Sequence, residues 1–156
     1  IKIIDSNFYR DIDWPIVIML AAMIPVGTAL QTTGLTDVIS SSISVFAGDL
    51  SQFWLLFTIL IVTMATTDII NNAATAVIMA PISAGIAIEL GYPIEPFLMV
   101  VAVGASCAFL TPIGHQCNTV VMGPGNYKFT DYWRLGLPLD ILIITVSIPM
   151  ILFVWT

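Results

Sequence analysis

The chain has 156 residues, 58% of them hydrophobic and only 9% charged, and its ten acids against four basic residues leave a formal charge of -6. A soluble domain with a mean hydropathy of +1.01 would lack the polar side chains to clothe its core, so the bilayer is the natural solvent. Lys2, Arg10, Lys128 and Arg134 are too few and too scattered to build a phosphate-binding patch, which excludes nucleic acid as a partner.

Residues 14–31 open on Trp14-Pro15, a proline suited to a first helical turn, and carry Pro25 and Gly27 inside an apolar run that predicts a transmembrane helix. Ile1 at the start, and apolar sequence only from Trp14, predict a piece of a longer polypeptide and not a targeting peptide. Over 34–48, Leu35, Val38, Ile39, Ile43, Val45 and Phe46 alternate with four serines and Asp37, the pattern of a helix lying at the membrane interface.

Residues 52–90 hold two apolar arms separated by Thr66-Thr67-Asp68 and Asn71-Asn72. The first arm, Phe53 to Ala65, reaches about 20 Å against a hydrocarbon core of roughly 30 Å. A re-entrant helical hairpin with its tip inside the membrane is predicted. In 96–122 an apolar segment from Phe97 to Leu110 stops at Thr111-Pro112, passes Gly114-His115-Gln116 to Asn118-Thr119, and restarts at Val120 before Gly123-Pro124-Gly125. That predicts a transmembrane helix broken by an unwound stretch at mid-depth. Residues 135–155 predict a last transmembrane helix. Cys107 and Cys117 fall in this apolar sequence and predict two buried thiols, not a disulfide.

One crossing by the first span, a return by the hairpin and one crossing by the broken helix put residues 1–13 and 123–134 on the same side. All four basic residues lie in those two segments. The positive-inside rule makes that side cytoplasmic, in an inner or plasma membrane.

Non-helical backbone survives at membrane depth only where protein or a water-filled cavity covers it, so two breaks in a short chain ask for a reason. Helix ends exposed there offer carbonyls suited to Na⁺ and N–H groups suited to an anion. Asn71, Asn72, Thr75, Thr111, Asn118 and Thr119 add neutral oxygens and amide donors at the same places, or serve as interhelical hydrogen-bonding groups. Asp68 is a candidate proton or cation site, or a helix cap; His115 is a candidate titratable group, or a packed loop residue. One His and no metal-ligand spacing of Cys and His argue against an enzyme or any metal other than sodium.

At these residues the chain resembles the C-terminal part of the divalent anion:sodium symporter family, within the citrate-transporter-like ion transporter superfamily. Asn71-Asn72-Ala73-Ala74-Thr75 is similar to the family's Ser-Asn-Thr hairpin-tip motif, with Asn71 in place of its Ser and Ala73 in place of its Thr. Thr111-Pro112 through Asn118-Thr119 resembles its unwound loop, although Gly114-His115-Gln116 looks more like the sulfate-type and uncharacterised bacterial branches. Gly123-Pro124-Gly125-Asn126-Tyr127 and Asp131-Tyr132-Trp133-Arg134-Leu135-Gly136 resemble the entry to its last helix.

The resemblance implies an all-α integral membrane fold forming one half of an inverted-repeat transporter. It implies a sodium site at Asn72, Thr111 and Asn118, and a substrate site at Asn71, Thr75 and Thr119, for sulfate or a di- or tricarboxylate carried by an elevator motion. The implied partners are a small anion, membrane lipid, the remaining N-terminal part of the transporter and a second copy in a homodimer. The competing readings are a cation/proton antiporter of the same superfamily, with Asp68 or His115 titrating, and a non-transporting membrane anchor.

Overall fold

The computed structural model describes residues 50–155 throughout and, before them, 14, 17–18, 21–22, 25, 28–29, 32–34, 38–39 and 41–43. The predicted span 14–31 and interfacial helix 34–48 therefore lie largely outside the described residues. Among the described residues there are helices and turns but no strand, as the apolar patterning predicts.

Helix α1, Gln52–Thr67, covers the first apolar arm and buries Leu55, Leu56, Ile59, Leu60 and Met64. Helix α2, Asn72–Leu90, starts on the Asn71 cap, whose side chain accepts from Ala74 N, and ends on Gly91 in the left-handed conformation at φ 72°. At 19 residues α2 is long and apolar enough to cross a membrane by itself. Helix α3, Ile94–Ala105, has Glu95 in its first turn, where the helix dipole favours an acid. It packs against both α1 and α2, and the closest approach is small-residue packing: a Cβ on Gly104 would sit 2.9 Å from Thr63 Cβ.

The sequence predicts helix to Leu110, but α3 stops at Ala105. The reason lies across the fold, where side chains from the end of α1 take up backbone groups that further helix would use. A short helix α4, Gln116–Met122, follows with His115 as its cap and no buried residue. Cys117 sits in its first turn and is exposed, which corrects the expectation of two buried thiols; Cys107 is buried, and both are free.

A 3-10 turn over Phe129–Asp131 leads into helix α5, Tyr132–Trp155, three residues earlier than expected, and the combined segment Phe129–Trp155 is the second one long and apolar enough to span. Pro138 and Pro149 lie inside α5 and Pro81 inside α2. Each removes one ladder donor, a loss that membrane helices tolerate. Ile148 and Ile151 of α5 join the core formed by α1, α2 and α3, while Leu135, Phe153 and most of its other large apolar side chains face outward.

Candidate functional site

The threonines of α1 behave alike until the last one. Thr58, Thr63 and Thr66 each return a hydroxyl hydrogen bond to the carbonyl one turn back, at Trp54, Ile59 and Val62. Thr67, completely buried, instead donates across the fold to Ala105 O at 2.9 Å. The last carbonyl of α3 is thereby satisfied by the last side chain of α1. Asn72, in the first turn of α2, meets the same hydroxyl at 2.8 Å, and with its amide nitrogen facing inward it donates to Thr67 Oγ1 and, at 3.2 Å each, to Ala105 O and Gly114 O.

Asp68 fastens the breaks from the next position. Its Oδ1 accepts from Leu110 N at 3.0 Å, and its backbone oxygen accepts from Thr111 Oγ1 at 2.6 Å. Thr111 Oγ1 also accepts from Gly114 N at 3.2 Å. Gly114 has no room for a side chain, because a Cβ there would stand 2.7 Å from Thr67 O and 2.7 Å from Ala108 Cβ. The two interruptions are therefore one structure in which the backbone that leaves the helical ladder finds partners in the opposite break.

Asn118 closes the loop from α4. Its Nδ2 donates to Ala108 O at 2.8 Å and Thr111 O at 3.2 Å, and its own carbonyl accepts from Tyr132 Oη at 2.7 Å. Tyr132→Phe deletes that last bond from a partly buried acceptor, a loss of about 0.6 to 1.7 kcal/mol. Thermal unfolding of the purified protein is the measurement. The expected result is an unfolding midpoint lowered by a few degrees.

Asp68, Asn72, Thr111 and Asn118 thus come together, and among the described residues no Lys or Arg belongs to the cluster they form. The other sequence-predicted residues stand outside it. Asn71 is an exposed cap on Ala74 N, and Thr119 Oγ1 donates to Pro112 O at 2.6 Å. His115 is exposed, its Nδ1 accepting from Cys117 N at 3.2 Å. Thr75 lies fully buried on the face of α2 with its Oγ1 unpartnered among the described residues. A mostly apolar cavity of about 240 Å³ opens beside Asn118 against Phe109, Tyr132 and Gly136, and none of Asn71, Asn72, Thr75, Thr111 or Thr119 lines it.

Sequence reasoning passed over Thr67, Gly114, Tyr132 and Asp140. Thr67 belongs to the polar interruption after the first apolar arm, where a hydroxyl at a helix end is itself a capping signal. Asp140 had a clear signal, an acid in the middle of an apolar span, where an ionisable group is costly. In the structure it is buried. The cluster gathers hydroxyl and backbone carbonyl oxygens, with the amide nitrogens of Asn72 and Asn118 turned toward them and, among the described residues, no Lys or Arg belonging to it; oxygens of that kind suit a hard cation.

A profile of the family described as the sodium:sulfate symporter transmembrane region matches residues 4–156. An uncharacterized transporter of Synechocystis sp. is 40% identical over 94% of this chain and 24% of its own length. The uncharacterized transporter YfbS of Escherichia coli is 38% identical over 94% of this chain and 24% of its own. A sodium-dependent dicarboxylate transporter of Staphylococcus saprophyticus is 25% identical over 97% of this chain and 29% of its own. The chain spans about a quarter of the length of these relatives.

Proposed function

The chain belongs to the sodium:sulfate symporter transmembrane-region family, a family of membrane transporters, and on that premise we propose that it forms an ion- and substrate-binding C-terminal part of a sodium-coupled symporter for a small divalent anion. The observation that carries this reading is the mutual bonding of the two helix breaks through Thr67, Asp68, Asn72, Thr111 and Asn118. Such a cluster has no structural need at membrane depth, where continuous helix would satisfy every backbone group at lower cost. It earns its place by offering oxygens to a cation.

Asn72, Thr111 and Asn118 hold sodium in this reading, and the anion sits beside it near Asn71, Thr75 and Thr119. With no basic side chain in the cluster among the described residues, anion binding depends on the co-bound cation, which couples the two fluxes. In this reading α1 and α2 are the arms of a re-entrant hairpin over 52–90, and α3 and α4 the halves of a broken transmembrane helix over 96–122. The two move together as the carrying part of an elevator, with residues 1–13 and 123–134 on the cytoplasmic side. A preceding inverted half, a second copy and lipid complete the assembly. The names of relatives support both sulfate and dicarboxylate as cargo, since one is a sodium/sulfate cotransporter of Chlamydomonas reinhardtii and another the dicarboxylate transporter above.

The test is radiolabelled uptake of sulfate, succinate and citrate by the full-length protein in proteoliposomes, with and without a sodium gradient. Accumulation of one of them only under the gradient is expected. Proton-driven sodium efflux without anion uptake would replace this reading by the antiporter.

A further inference from the structure

Asp140 lies inside α5 and Asp68 at the end of α1, and both side chains are buried, with 7% and 4% of their surfaces exposed. One oxygen of each, Asp140 Oδ1 and Asp68 Oδ2, is shut off from solvent and has no hydrogen-bond donor among the described residues. Helix α5 lies against the loop whose backbone holds Asp68. Gly136, one turn before Asp140 on the same buried face, lies so close to the loop after α3 that a Cβ would meet Phe109 O at 2.5 Å. The next residue, Leu110, is the one whose N–H holds the other oxygen of Asp68.

Two unpaired carboxylate oxygens in the same dry region are costly separately and repel each other together. A bound cation removes both penalties. Carboxylate oxygens select a hard ion, and among the described residues no group of three or more His, Cys, Asp or Glu side chains is placed to hold a metal ion, which argues against a divalent one. We propose that Asp68 Oδ2 and Asp140 Oδ1 bind one monovalent cation, sodium, at a site separate from that at Asn72, Thr111 and Asn118. The inference deepens the symport reading and rests on it only for the identity of the ion. It adds a charge to the transported complex, so the inward step carries one more positive charge per anion than the first site alone provides.

The experiment measures ²²Na⁺ binding to the purified full-length protein, and ²²Na⁺ and sulfate uptake together in proteoliposomes, for wild type, Asp140→Asn and Asp140→Leu. Asn keeps the shape and removes the charge; Leu removes the oxygen as well. Both variants are expected to bind one sodium fewer at saturation and to carry one fewer per anion, with sodium half-saturation of the remaining site within about threefold of wild type. Unchanged sodium stoichiometry in both variants overturns the site while leaving symport intact. Wild type that transports no anion yet loses one bound ²²Na⁺ on Asp140→Asn sinks the symport reading and upholds the site. If neither variant purifies as a folded protein, Asp140→Glu decides: a changed preference between sodium and lithium supports the site, and an unchanged one overturns it.

Discussion

Asn118→Ala in the full-length protein is expected to raise the sodium concentration for half-maximal anion uptake by tenfold to a hundredfold. The side chain bridges two carbonyls of the unwound loop, Ala108 O and Thr111 O, and deleting it leaves both without that donor. An unsatisfied buried carbonyl costs about 1 to 3 kcal/mol, and each 1.4 kcal/mol is about a factor of ten in an equilibrium. Asn72→Ala acts on the same structure from the other side, since its amide reaches Thr67 Oγ1, Ala105 O and Gly114 O. Sodium titration of uptake at fixed anion is the measurement for both. An unaltered sodium dependence in the pair would remove the proposed site.

A larger loss is expected from Gly114→Val, which should abolish uptake while leaving the protein in the membrane. The new Cβ would stand 2.7 Å from Thr67 O, a backbone atom that cannot swing aside, and 2.7 Å from Ala108 Cβ. Overpacking of this kind costs about 1 to 3 kcal/mol, and here the strain falls on contacts that hold the breaks together. Separating them stretches the Thr111–Asp68 bond of 2.6 Å and the Asn72–Gly114 contact of 3.2 Å. The packing of α3 on α1 and α2 buries Leu56, Leu60, Phe97 and Val100 away from this point, so insertion and overall helicity should persist. Gly123→Ala is the matching control, because its Cβ would meet nothing within 4 Å, and it should transport like wild type. Equal uptake by Gly114→Val and Gly123→Ala would mean that the breaks need not touch.

Much of the architecture was legible residue by residue. The run from Phe53 and the run from Ala73 appear as α1 and α2, each within a few residues of the expected bounds, because apolar length and the polar interruption between them are local properties. The cap at Asn71 was not read, although the amide lies only three residues before the Ala74 N–H that it accepts from. The end of α3 was not local. Residues Cys107 to Leu110 are as apolar as the helix before them, and nothing in their own composition says that the ladder stops at Ala105. Nor did the sequence separate Asn72, which reaches the opposite break, from Asn71 beside it, which caps its own helix and stays exposed.

By itself, then, the order of residues determined the apolar solvent, the helical class and the polar break after Thr67, since transfer of apolar side chains into lipid and the failure of polar runs to stay there add up along the chain. Only the tertiary structure decided which broken backbone is satisfied by which side chain. The bonds that do so join Thr67 to Ala105, Asp68 to Leu110 and Thr111 to Asp68 across 38, 42 and 43 residues of chain. At such separations no periodicity carries information; a hydrogen bond needs its two atoms within about 3 Å, and packing of α3 against α1 and of α5 against both is what sets that distance.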